Sequence, residues 1–180
     1  MNLLIGKKGV EPVVNVQINK NTSIQMNLSD IIKEVSTFVI NSKDNCKEYY
    51  YREFTYVICY HKECGHFCGY VTKFGKYTEY ITNRLIIEYD IEGWNGAYTV
   101  HGGFTADFGF DCAHCYDLSV RCTDDLNNYV DWLNRNQYWI DADNGRASFK
   151  SEKFVIDELE KLIDSLIEIA TLDNTTINNT

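Results

Sequence analysis

Hydrophobic positions change period several times along this chain of 180 residues, and each change predicts an element. Residues 13–18, Val-Val-Asn-Val-Gln-Ile, alternate as an edge strand does. Ile31, Ile32, Val35, Phe38 and Val39 then recur at helical spacing behind the N-cap candidates Asn27 and Ser29, which predicts a helix over about 29–41. The aromatic and β-branched run from Tyr49 to Tyr60 reads as one strand. The turn Lys62-Glu63-Cys64-Gly65 leads into a return strand over about 66–73. Leu85 to Tyr89 predicts a third strand, a fourth ends near Val100, and Phe108-Gly109-Phe110 opens a fifth. A short helix over about 125–135 and a loop at 141–145 follow. The strongest signal comes last: Val155, Ile156, Leu159, Leu162, Ile163, Leu166 and Ile167 keep a three-four spacing behind Ser151, an amphipathic helix over about 151–170.

Strands gathered in the middle and helices toward the ends define an α+β fold. The expectation is an antiparallel sheet of four to six strands, covered by the long C-terminal amphipathic helix and preceded by an N-terminal strand and helix. It forms one domain over 1–172. Within it lie a strand-helix extension over about 1–48 and a core over about 49–170, and 173–180 forms a flexible tail. A domain of this size can bury a sizeable core without staples. No apolar run is long enough to span a bilayer. No secretory pattern is read at Met1 to Gly6, because Lys7, Lys8 and Glu11 follow at once. The seven cysteines are therefore expected as free thiols in a reducing cytosol.

Charge narrows the partners. The net charge is −9, and it is unevenly spread. Residues 1–110 carry 12 acidic and 11 basic side chains, whereas residues 111–180 carry 14 acidic and 6 basic. Nucleic acid and anionic lipid are disfavoured as direct partners, since binding them requires Lys and Arg against phosphate. A basic partner protein is favoured, with Asp124, Asp125 and Asp131 as contact candidates, although acidic surfaces also serve solubility alone.

All four histidines and six of the seven cysteines fall between residues 59 and 122. Cys59, His61, Cys64, His66 and Cys68 surround the predicted hairpin turn, and His101, Cys112, His114 and Cys115 surround a second group of turns. Thiolate and imidazole suit zinc, so Cys64, His66, Cys68, Cys112, His114 and Cys115 are the metal candidates. A second reading is thiol catalysis: Cys112 as nucleophile, His114 or His101 as base, and Asp111 or Asp117 as the orienting carboxylate. A third is a buried polar network that shapes the loops. On any of these, His66, Cys68, His101, Asp111, Cys112 and His114 are expected to converge.

Val100-His101-Gly102-Gly103-Phe104-Thr105, then Gly109-Phe110-Asp111-Cys112-Ala113-His114 and Asp117, resembles a motif of small proteins encoded by bacteriophages and mobile elements. His66-Phe67-Cys68-Gly69-Tyr70-Val71 is similar to a flanking piece of the same group, and the likeness covers about residues 53–170. The resemblance implies a phage or mobile-element accessory protein acting inside a bacterium. Proteins of that kind inhibit bacterial defence, among them anti-CRISPR proteins that occupy the basic nucleic-acid channel of an RNA-guided nuclease. The expected partner is accordingly a basic bacterial defence protein, a CRISPR effector nuclease in particular. The competing classes are a Cys/His hydrolase or nucleotide-modifying enzyme, with or without zinc, and a nucleotide-signal sponge built on Gly102 and Gly103.

Overall fold

In the computed structural model of the chain, residues 13–72, 80, 83–89, 98–99, 105–106, 108–113, 117–121 and 147–177 are described. Strand β1 (Val13–Asn19) buries Val14 and Val16 and pairs antiparallel with β2 (Thr22–Asn27). The connection is closed by the Asn19 carboxamide oxygen, which accepts from the Asn21 N–H at 2.9 Å. No strand was expected at β2, because Thr-Ser-Ile-Gln-Met-Asn offers only Ile24 and Met26 as apolar positions and buries almost nothing. Helix α1 (Leu28–Ile40) follows directly, with Leu28, Ile31, Val35 and Phe38 turned inward, as the helical spacing predicts.

The principal sheet is built from β3 (Cys46–Tyr51), β4 (Phe54–His61), β5 (His66–Thr72) and β8 (Phe108–Asp111), in that order and antiparallel throughout. The single strand expected over 49–60 is thus a hairpin turned at Arg52 and Glu53. Arg52 adopts the left-handed conformation (φ 52°), which glycine or asparagine more often supplies, and so the turn carries no compositional signal. Leu85 to Tyr89 is the other correction. It belongs to a seven-residue helix, α2 (Asn83–Tyr89), with Leu85 buried and Ile87 exposed. A short apolar run does not distinguish strand from helix by periodicity, and here the helix won. Short strands β6 (Tyr98–Thr99) and β7 (Thr105–Ala106) pair with each other, and β9 (Phe149–Lys150) joins β1 in parallel.

The C-terminal helix α3 (Glu152–Ile177) covers the principal sheet. Ser151 caps it: its Oγ accepts from the Phe154 N–H at 3.1 Å and donates to the Gln17 carbonyl at 3.0 Å, which fastens the helix start to β1. Val155, Leu159, Leu162, Ile163 and Leu166 are fully buried beneath it. Gly69 lets the helix settle close to β5, since a Cβ there would stand 2.7 Å from Val155 Cγ1 and 2.9 Å from Leu159 Cδ1. The helix continues past the expected end at 170 into the segment read as a tail, because no Gly or Pro stops it.

Along the β3 edge a row of tyrosines meets a stripe of carboxylates on α3. Tyr49 donates to Glu152, Tyr56 to Glu160 at 3.1 Å and Tyr51 to Asp164 at 3.1 Å, while Arg52 pairs with Asp164 at 2.6 Å. Burial first, and then the neighbouring carboxylates, push the Tyr49 and Tyr56 phenols well above the ordinary tyrosine range.

The short helix expected at 125–135 and the loop at 141–145 lie outside the described residues. No described helix is long and apolar enough to cross a membrane.

Candidate metal centre

The two faces of the principal sheet differ in chemistry. Phe54, Tyr56, Ile58, Tyr60, Phe67, Val71, Phe108 and Phe110 belong to the main core under α3. Side chains alternate along a strand, so the intervening positions Val57, Cys59 and His61 of β4 and His66, Cys68 and Tyr70 of β5 share the other face. The register sets Cys59 opposite Cys68 and His61 opposite His66. Continuing sideways, Cys46 of β3 lies opposite Cys59, and Asp111 of β8 lies opposite Cys68.

His61, His66 and Cys68 have ligand atoms all within 4.8 Å of one another. The two imidazoles stack with centroids 5.2 Å apart, His66 and Cys68 are buried, and His61 is half-buried. Two imidazole nitrogens and one thiolate are a donor set for zinc and similar transition ions.

The hairpin turn is locked from below. Gly65 has φ 82°, its N–H donates to the His61 carbonyl at 2.6 Å, and its own carbonyl accepts from the Val120 N–H at 2.7 Å. Tyr60 donates its hydroxyl to the Val120 carbonyl, which ties the 117–121 segment to the same hairpin.

Among the residues expected to converge, His66, Cys68 and Asp111 do share one face. Cys112 is held near them by its N–H, which donates to the Phe67 carbonyl at 3.1 Å, but its side chain packs into the main core. Burial pushes the Cys112 thiol far up, Asp117, Cys68 and Asp111 push it further, and Lys150 opposes them. A nucleophilic cysteine needs the reverse, an accessible thiol with a lowered pKa. Asp111 Oδ1 accepts from the Ala113 N–H at 2.9 Å, and Asp117 pairs with Lys150 at 3.4 Å, so both carboxylates have contacts that order backbone or bind a lysine. Cys64 is exposed in the hairpin turn and stands apart from the trio. His101, His114, Cys115, Asp124, Asp125 and Asp131 lie outside the described residues.

Two features escaped the sequence reading. His61 was not among the metal candidates, although Cys59-x-His61 and His66-x-Cys68 are mirror images about the turn, a pattern that only the hairpin register turns into one cluster. The expectation of free thiols fails at Cys46 and Cys59, which form a disulfide with Cα atoms 4.1 Å apart. Sequence separation says nothing of this pairing; the β3–β4 register creates it.

A scan against protein-family models and searches among curated proteins and solved structures find no match to this chain.

Proposed function

We propose that this protein acts by binding rather than by thiol chemistry: an acidic anti-defence protein of a phage or mobile element that occupies a basic bacterial defence protein. The target class is an RNA-guided nuclease, whose heteroduplex channel is positively charged. The His61, His66 and Cys68 cluster of the hairpin would serve as part of a zinc site with a structural role.

The observation that carries the reading is the concentration of negative charge. The segment 111–180 has 14 acidic against 6 basic side chains. Among the described residues, the Glu34 carboxyl is raised above its ordinary value by burial, then by the neighbouring Asp30 and Glu152. Such a field steers a basic partner and repels nucleic acid. The thiol-enzyme alternative loses ground on the burial of Cys112 and its raised pKa.

The test is a panel of purified RNA-guided nucleases, each assayed for DNA cleavage with increasing amounts of this protein. Stoichiometric, salt-sensitive inhibition of at least one member supports the reading. Failure to inhibit any member, with no binding in the same mixtures, rejects it.

A further inference from the structure

Three ligands on a hairpin are an incomplete structural site, because structural zinc is closed by four protein ligands and an open fourth position is the catalytic pattern. The register supplies the missing one. Cys59 stands directly across from Cys68 and two residues before His61 on the same face, so Cys59, His61, His66 and Cys68 form a two-by-two array on two adjacent strands. Cys59 is fully buried beside that cluster, and the disulfide to Cys46 on the outer strand is what occupies its sulfur. The other nearby donors fit less well: Cys64 is exposed in the turn, and Asp111, across from Cys68 on β8, is a carboxylate that already accepts from the Ala113 N–H at 2.9 Å.

We infer that this hairpin is a redox-gated Cys2His2 zinc site, in which the Cys46–Cys59 disulfide and zinc binding exclude each other. In the oxidised form the Cys59 sulfur is bonded to Cys46, and only His61, His66 and Cys68 face the ion. A cellular dithiol reduces the bond: its two sulfurs become a disulfide, and Cys46 and Cys59 each take up a proton as thiols. Zinc then binds the Cys59 and Cys68 sulfurs and the two imidazoles, and the two thiols release their protons. Oxidation by a disulfide of the same class reverses the sequence and expels the ion. Cys46 is the gate and not a ligand, since Cys59 lies between it and Cys68 in the row across the sheet.

The experiment uses the full chain, with zinc and cobalt(II) as probes. Reduced protein takes up one equivalent of either ion, and cobalt gives the thiolate charge-transfer band of a tetrahedral site with two sulfur ligands. Once the Cys46–Cys59 bond is closed and verified by peptide mapping, zinc affinity falls by more than about 100-fold, beyond the 10–100-fold typical of an outer-shell change. Cys59→Ser shows the same loss without oxidation. Cys46→Ser keeps all four ligands and cannot form the bond, so it binds zinc like the reduced wild type in a buffer oxidising enough to close the bond there. It also guards against a Cys59→Ser variant that merely fails to fold. Absence of metal uptake by reduced wild type, undiminished affinity with the disulfide closed, or wild-type affinity in folded Cys59→Ser would each overturn the inference. None of these outcomes depends on the partner proposed above.

Discussion

Gly65→Ala strikes a residue that joins the hairpin turn to the segment behind it. At φ 82° a side chain is strained whatever the space, by about 1–2 kcal/mol for an L-residue in the left-handed region. Space is lacking too. The added Cβ would meet the Val120 carbonyl carbon at 2.8 Å, the Arg121 nitrogen at 2.9 Å and the Val120 nitrogen at 2.9 Å, all backbone atoms that cannot rotate away. Overpacking of this kind costs about 1–3 kcal/mol, so the sum is about 2–5 kcal/mol. For a chain of this length that lowers Tm by roughly 4–20 °C. Urea unfolding of wild type and variant, with the slopes compared to verify two-state behaviour, measures the difference. Gly65→Asn separates the two causes, because asparagine tolerates the left-handed conformation and regains only that part, about 1 kcal/mol. A loss below about 0.5 kcal/mol for Gly65→Ala, the size of a neutral surface change, would refute the packing argument.

Two further outcomes follow from the buried polar groups. Tyr49 and Tyr56 have folded pKa values above their unfolded ones, so their stabilisation is complete below the ordinary tyrosine range and is lost as pH rises through the raised values. Ultraviolet titration should therefore show a late group of tyrosines ionising only as the chain unfolds in alkali, and replacing Glu152 with Gln should bring Tyr49 earlier. A single normal tyrosine transition would contradict this. For Cys112, a thiol reagent should modify exposed Cys64 on mixing and reach Cys112 only at the rate of unfolding, and Cys112→Ala should cost about 1 kcal/mol for the methyl-sized void it leaves. Rapid labelling of native Cys112 would restore it as a candidate nucleophile.

The α+β class was legible in the sequence because its strongest elements advertise themselves through burial. α1 and α3 present clean apolar stripes, and β4, β5 and β8 are dense in aromatic and β-branched side chains. What escaped were elements held by their neighbours. β2 has only two apolar positions, Ile24 and Met26, among its six residues and exists because β1 offers it hydrogen bonds. The Arg52–Glu53 turn carries no turn residues, and α2 is a short apolar run set by packing of Leu85 against the core. The candidate site divides in the same way. Clustering of His and Cys around the hairpin was readable, but the choice of His61 over Cys64, and the pairing of Cys46 with Cys59, depend on register. Register is a relation between strands, and no single stretch of sequence contains it.

Charge-driven occupation of a basic nuclease is the central proposal, and one titration tests it. A purified RNA-guided nuclease is mixed with increasing amounts of this protein, and target DNA cleavage is measured at low salt and at salt high enough to shorten the screening length well below its roughly 10 Å at 0.1 M. Complete inhibition near one equivalent at low salt, clear weakening at high salt, and the same curve for Cys112→Ala are the expected results. Inhibition that ignores salt, or that completes at far below one equivalent and grows with time, would contradict binding and point to covalent catalysis instead.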